Sequence, residues 1–261
     1  MLRYILSSLT ISFLLLAMSC HESAHNDAVS VNNASATASA AEDVKSADQS
    51  YSQRADLDQL RRGIVSLRQA LTKDPASYEA AWKLSKFNYY LATHTEDAKD
   101  RDDAFREGIT AGKTAVQLQN DKPDGHFWLG ANYGGAAEHS SIAGLATVND
   151  IKSEMETVLR LDEGYQDGSA YMVLGLVYLN APVFVGGDPK KAVEEMEKGL
   201  RFGEPNAFLH LHLAEAYKKV GRHDDARREL KKILSMPADP NYLPEYKEAT
   251  ADAQKLLEEM G

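Results

Sequence analysis

The chain has 261 residues and a formal net charge of -10 at pH 7, from 39 acidic and 29 basic side chains. Because an acidic protein without a concentrated basic stripe repels phosphate backbones, nucleic acid is excluded as an expected partner. Proline is scarce, with 8 residues, whereas alanine, leucine, glutamate and lysine are frequent, and this composition favours an all-α protein.

The amino-terminal segment has the layout of a secretory signal peptide, residues 1–19. An apolar run extends from Tyr4 to Ala17, and Cys20, the only cysteine in the chain, follows closely. The arrangement resembles a bacterial lipoprotein signal, in which the cysteine becomes the lipidated first residue of the mature chain. On this interpretation Cys20 carries a lipid such as palmitate, which anchors the protein in the cell envelope, facing the periplasm, in either the inner or the outer membrane. The alternative is an ordinary signal peptide with Cys20 incidental.

Residues 20–50 differ in composition from everything that follows. They are rich in Ala, Ser, Asn, Asp and Thr, and their only large aliphatic side chains are Val29, Val31 and Val44. Since so little apolar surface cannot offset the entropy lost on ordering, we predict a disordered tether here. Residues 51–261 then form the folded domain.

A leucine followed by a small residue recurs through the folded part, at spacings of 45, 45 and 39 residues. In three of the four units a tyrosine stands four residues after the leucine, so that both share one helix face. A second amphipathic segment follows each unit, and a helix pair repeated at this period predicts a solenoid. The pattern resembles the tetratricopeptide repeat, which implies a right-handed α-solenoid of about four stretched helix pairs with capping helices at both ends. The four units contain Leu84-Ser85, Leu129-Gly130, Leu174-Gly175 and Leu213-Ala214.

Periodicity and capping residues predict ten helices, of which the first and the last cap the solenoid. Gly108 and Gly112 lie inside one of them, although glycine inside a helix costs about 1 kcal/mol relative to alanine. We expect this cost to be tolerated because a neighbouring helix approaches closely at these two positions. The predicted helices span 54–73, 76–93, 97–119, 123–138, 147–161, 166–180, 188–202, 205–220, 222–236 and 244–260.

Three segments make the resemblance more specific. Residues 126–134 read HFWLGANYG, residues 181–189 read APVFVGGDP, and residues 107–109 read EGI. Together they look like the T-component family of TRAP transporters, helical-repeat lipoproteins associated with tripartite transporters, over residues 54–240. The resemblance implies a homotrimer and docking with a periplasmic substrate-binding protein.

Candidate catalytic and metal-binding residues are few. The folded part has no cysteine nucleophile, and Ser140-Ser141 lacks the flanking glycines of a nucleophile elbow. His210 and His212 are two residues apart on a predicted helix, so they point to different faces. Within residues 51–261 no histidine pair has the helical spacing and carboxylate of a zinc site. We therefore expect no enzyme activity, no metal and no cofactor.

The concave face of a tetratricopeptide solenoid is lined by defined positions of the first helix of each pair. At those positions this chain has mostly aromatic and aliphatic residues, which is typical of an apolar binding site. The alternative is that the inserted loops or the first helix cover these residues and make them core. The candidate groove residues, for a ligand or a partner, are Trp82, Lys86, Tyr89, Tyr90, Phe127, Trp128, Met172, Val173 and Leu176.

These features together predict a non-enzymatic, periplasm-facing lipoprotein scaffold. By the family resemblance, it docks a TRAP-type periplasmic substrate-binding protein, and its concave groove holds an apolar ligand. The alternative is a general tetratricopeptide-repeat scaffold for envelope protein assembly, unrelated to transport.

Overall fold

The computed structural model describes residues 21–139 and 141–261, and all regular secondary structure within these residues is helical. The predicted signal peptide, residues 1–19, and the candidate lipidation site Cys20 lie outside the described residues. In the described part of the chain, no helix is both long and apolar enough to cross a bilayer. The α-helices are α1 His21–Tyr51, α2 Leu57–Lys73, α3 Tyr78–His94, α4 Ala98–Leu118, α5 Pro123–Glu138, α6 Ser141–Leu161, α7 Tyr165–Asn180, α8 Pro189–Gly199, α9 Ala207–Lys219, α10 His223–Ser235 and α11 Leu243–Glu259; short 3-10 helices occur at Val183–Val185 and Pro240–Tyr242.

All ten helices predicted from the sequence are present, as α2 to α11. The largest difference is at α6, which begins at Ser141 rather than at residue 147. Gly144 lies in this additional stretch, and the low helix propensity of glycine obscured the start of the helix. The capping residues act as the pattern indicated. At the start of α8, for example, the Asp188 side chain accepts hydrogen bonds from the backbone N–H groups of Lys190 and Lys191.

The sequence predicts a disordered tether over residues 20–50, but the structure has the helix α1 at His21–Tyr51. Ala40, Val44 and Ala47 are buried in one apolar cluster with residues of α2 and α3. The tether prediction is therefore wrong for residues 35–50. It failed because alanines supply much of the face that α1 buries, and alanine counts little in an estimate based on large aliphatic side chains.

The helices form two layers. In the inner layer α3, α5, α7, α9 and α11 each contact the next member of the series, and α1 contacts α3. In the outer layer α2, α4, α6, α8 and α10 each pack against the inner helix before and the inner helix after them. This is the predicted α-solenoid, with one correction. The pair α1 and α2 precedes the first repeat, so α2 is not the terminal capping helix.

Glycines mark the closest contacts between the layers, as the pattern predicted. A Cβ atom at Gly130 of α5 would lie 2.4 Å from Cε of Met155 in α6. A Cβ atom at Gly175 of α7 would lie 2.5 Å from Cγ of Met196 in α8. At Gly112 of α4 the nearest atoms include the Cα of Leu129, only 3.0 Å away. In the second and third repeats, Gly130 and Gly175 therefore allow the close approach of the paired helices.

Candidate binding site

A cavity of about 840 Å³ lies on the concave face of the solenoid. Its wall is built by the inner helices α3, α5, α7, α9 and α11, with Tyr51 at the end of α1 and the connection around Pro237 and Tyr242. The volume falls within the range of about 300 to 1,000 Å³ that is typical of small-molecule sites. The geometry therefore suits a ligand of small-molecule size.

Eight of the nine candidate groove residues lie in the wall of this cavity. The exception is Trp82, which is half-buried near the start of α3 and does not line the cavity, although it packs behind the wall against the cluster of Phe127 and Trp128. The loop of residues 181–188, which the sequence left as a possible cover, contributes nothing to the wall. The eight residues in the wall are Lys86, Tyr89, Tyr90, Phe127, Trp128, Met172, Val173 and Leu176.

The wall has a tightly packed side and a more open side. On α5, the ring of Trp128 lies 5.0 Å from that of Phe127, nearly perpendicular to it, and 5.8 Å from that of Tyr89. Only 5% of Phe127 and 9% of Trp128 is exposed, so both belong partly to the core. Met172 and Leu176 of α7, by contrast, are half-buried. The predicted groove residues therefore include some that belong to the core and some that are partly exposed to the cavity.

The carboxyl-terminal helix α11 contacts the turn between α1 and α2 at one edge of the cavity. Arg54, in the turn between α1 and α2, donates from Nε and Nη2 to the two carboxylate oxygens of Glu245 in α11, at 2.7 and 2.6 Å. Nη2 also donates to the carbonyl oxygen of Asn241 at 2.6 Å. Arg54 is 4% exposed, and its guanidinium lies 4.8 Å from the ring centroid of Tyr51. This contact could not be predicted from the sequence, because no local pattern pairs residues 191 positions apart.

A second contact joins α11 to α3. Nε2 of His94 lies 3.5 Å from a carboxylate oxygen of Glu248, and the imidazole stacks on the ring of Tyr90 at 3.8 Å. Burial opposes the charged imidazole, but the Glu248 carboxylate and the Tyr90 carbonyl outweigh it and raise the pKa of His94 above its ordinary value. The hydrogen bond with His94 in turn lowers the pKa of Glu248. Both shifts favour the ion pair.

Two tyrosines of the wall, Tyr89 and Tyr90, are neutral at pH 7. Burial raises the pKa of Tyr89 and that of Tyr90 to about 12. They therefore present ring faces and hydroxyl groups, without charge, to anything in the cavity at neutral pH.

The histidines of the repeats have structural partners. His126 of α5 contacts Glu154 of α6 at 2.5 Å through Nδ1 and the carbonyl oxygen of Asn120 at 3.0 Å through Nε2. His210 of α9 repeats this arrangement with Glu229 of α10 and the carbonyl oxygen of Glu204. Among the described residues, no group of three His, Cys, Asp or Glu side chains is placed to hold a metal ion.

Solved structures share this architecture at low sequence identity. A thermophilic TPR protein of Thermus thermophilus is 20% identical, has a TM-score of 0.59, and aligns over 80% of this chain and 98% of its own. PilW, a type IV pilus biogenesis factor, is 18% identical with a TM-score of 0.54, over 84% of this chain and 89% of its own. Both show the fold alone, which is that of a tetratricopeptide-repeat solenoid. No curated protein matches the sequence.

The sequence profile of the TRAP transporter T-component family matches residues 81–260, which extend from the first turn of α3 to the end of α11. The match includes every inner helix of the cavity wall except α1. Members of this family are components of a transporter. The chain belongs to the TRAP transporter T-component family.

Proposed function

We propose that this protein is a lipid-anchored, periplasm-facing adaptor of a TRAP transporter, which docks the substrate-binding protein of that transporter and holds an apolar ligand in the cavity of its concave face. Family membership and fold together give the chain a scaffold or adaptor role in TRAP transport. The proposal adds three things to this role: the docking partner, the apolar ligand and the lipid anchor.

The cavity itself is the observation that supports an apolar ligand. Aromatic and aliphatic side chains from three successive inner helices line it, and its volume is about 840 Å³. Apolar side chains that are only half-buried, such as Met172 and Leu176, would gain from a ligand that removes them from water. The hydrophobic effect therefore favours the binding of an apolar ligand in this cavity.

The test of the ligand is a titration with a neutral apolar molecule such as octanol. Residues 21–261 contain every member of the four buried clusters, so this fragment carries the complete core. We expect saturable binding that changes the emission of Trp128. A linear, non-saturating response would exclude the ligand part of the proposal.

The test of the partner is co-purification with the substrate-binding protein of the TRAP system encoded beside this protein. We expect a stable complex, whereas a substrate-binding protein from an unrelated class of transporter should not bind. Equal recovery of the two proteins would contradict the docking role. Sedimentation of the same fragment would show whether it forms the homotrimer that the family resemblance implies.

The anchor is tested by labelling cells with a clickable palmitate analogue. We expect the wild-type protein to take up the label and the Cys20→Ala variant to lose it. Equal labelling of both would exclude the lipid anchor. The alternative role, a general scaffold for envelope assembly, gains no support from the likeness to a pilus biogenesis factor, because at 18% identity that likeness shows only the fold.

A further inference from the structure

Lys86 of α3 places its ammonium group against the aromatic wall of the cavity. Its Nζ lies 4.4 Å from the ring centroid of Tyr51 and 5.5 Å from that of Trp128. Among the residues that the structure describes, none places a carboxylate within ion-pair distance of this Nζ. The positive charge is therefore stabilised by ring faces, which supply a weaker attraction than an anion does.

The cations next to Lys86 do have anionic partners. Nζ of Lys83 lies 2.7 Å from Asp48 and 2.6 Å from Glu79. Arg54 donates hydrogen bonds to both carboxylate oxygens of Glu245. Because the nearby carboxylates already serve other cations, the protein leaves the charge of Lys86 without a direct counterion among the described residues.

The surroundings of Lys86 penalise its charge. Burial lowers the pKa of Lys86 to about 8, and the guanidinium of Arg54 adds to the shift, which Glu245 partly opposes. At pH 7 the side chain is still mostly protonated. An anion placed beside it would favour the charged form and offset the penalty of burial.

A neutral donor in the same wall also lacks an acceptor. Nε1 of Trp128 is buried, and none of the described residues accepts a hydrogen bond from it. Other carboxylates that line the cavity, such as Glu138, Asp167 and Asp252, are exposed to solvent. The wall around Lys86 thus combines a half-buried positive charge and a buried, unused donor with apolar side chains.

We infer that the ligand of this cavity is an amphiphile with a single anionic oxygen head group, which binds Lys86 while the apolar body lies against Phe127, Met172 and Leu176. Carboxylates and phosphate monoesters share this head-group chemistry. The inference rests on the proposed function, in which the cavity holds an apolar ligand, and adds the charge and the position of the head group. A neutral ligand would leave Lys86 unpaired, and a small acid without an apolar body would leave the wall exposed to water.

The inference is tested with three probes of equal chain length: octanoate, octyl phosphate and octanol. Each is titrated into the fragment of residues 21–261 and followed by tryptophan emission. The variants are Lys86→Met, which keeps the length and apolar character of the stem, and the control Lys231→Met, at an exposed lysine of α10 outside the cavity wall. We expect Lys86→Met to weaken the anionic probes by about tenfold, or about 1.4 kcal/mol, and to leave octanol unchanged. Lys231→Met should change neither.

Each outcome distinguishes the inference from the proposed function. If octanol binds as tightly as both anions, or if Lys86→Met leaves anion binding unchanged, the head-group inference is wrong and the apolar cavity stands. If none of the three probes binds, both are wrong. Tighter binding of octanoate than of octyl phosphate would assign the head group to a carboxylate, and the reverse order to a phosphate; either result supports the inference.

A second measurement needs no variant. Octanoate affinity should fall as the pH rises above about 8, the pKa of Lys86, while octanol affinity stays constant. Octanoate affinity that stays constant up to about pH 10 would overturn the inference, because Lys86 would by then have lost its charge. The charged and titratable groups facing Lys86 are Asp48 and Tyr51 on α1, Arg54 in the following turn, Lys83 on α3 and Glu245 on α11. Three of them, Tyr51, Arg54 and Lys83, have pKa values raised above their ordinary ranges.

Discussion

Arg54 and Glu245, 191 residues apart, form a two-point ion pair that joins the turn after α1 to α11. The pair brings α11 to the start of the solenoid, so that both ends of the repeat array contribute residues to the wall of the cavity. Its position also explains why Tyr51, Tyr246 and Glu248 share one wall although they come from opposite ends of the chain.

Replacing Glu245 by Gln should lower the free energy of unfolding by about 3 kcal/mol, because it leaves the buried guanidinium of Arg54 without its counterion. A matched control is Glu107→Gln, which breaks an ion pair of the same two-point geometry with Arg68, a side chain that is 54% exposed. That change should cost about 1 kcal/mol or less. Urea unfolding of residues 21–261 measures both. Equal losses would show that the Arg54 pair does not hold α11 in place.

The repeats could be predicted because their signal is local. Leu129, Gly130 and Tyr133 fall within two turns of one helix, and the same spacing recurs at Leu174, so periodicity revealed α5 and α7 directly. The helix α1 could not be predicted in this way. Its buried face includes Ala40 and Ala47, which composition does not distinguish from a flexible segment rich in small residues.

The candidate site was partly predictable for the same reason. Positions on first helices carry over from repeat to repeat, so Tyr89, Trp128 and Met172 were identified as neighbours in space. Trp82 lies beside the wall rather than in it, and a role for Trp82 in binding stays a prediction. The contact of Arg54 with Glu245 joins residues 191 positions apart, which no local spacing encodes.

Leucine at Gly130 should destabilise the fold by about 1 to 3 kcal/mol or more, because the side chain would collide with Met155 and with Cβ of Glu154 in α6. Gly134, one turn later in α5, is the matched control, since a Cβ atom there would have no neighbour within 4 Å. Gly134→Leu should be neutral or slightly stabilising, because leucine has the higher helix propensity. Thermal melting of both variants measures the difference. Equal shifts in the melting temperature would contradict the close packing of α5 on α6.

Stability should decrease as the pH rises above about 6.5, the ordinary pKa of histidine, in part because of His126. The hydrogen bond with Glu154 raises the pKa of His126, with a smaller contribution from the carbonyl of Asn120, while burial opposes the shift. Since the folded pKa is raised, this stabilisation is fully present below the unfolded pKa of about 6.5 and is lost as the pH rises through the folded pKa. Urea unfolding at several pH values should show a smaller decrease for Glu154→Gln than for the wild type. The exposed control Glu156→Gln, on the same helix, should behave as the wild type does, and an unchanged slope in Glu154→Gln would exclude the pair as the cause.

Two leucines of α7 distinguish binding of an apolar ligand in the cavity from simple core packing. Leu174 is 4% exposed and lies in the core, whereas Leu176 is half-buried in the cavity wall. Leu174→Ala should cost about 2 to 5 kcal/mol of stability. Leu176→Ala should cost less and should weaken ligand binding instead.

The most direct measurement is an octanol titration of the Trp82→Phe variant, in which Trp128 is the only remaining tryptophan. We expect a saturable change in Trp128 emission, and a lower octanol affinity when Leu176 is also replaced by alanine. The exposed variant Phe184→Ala, outside the cavity, should bind octanol as the Trp82→Phe parent does. Trp128 emission that does not respond to octanol at any concentration below its solubility limit would contradict the claim that this cavity is a ligand site.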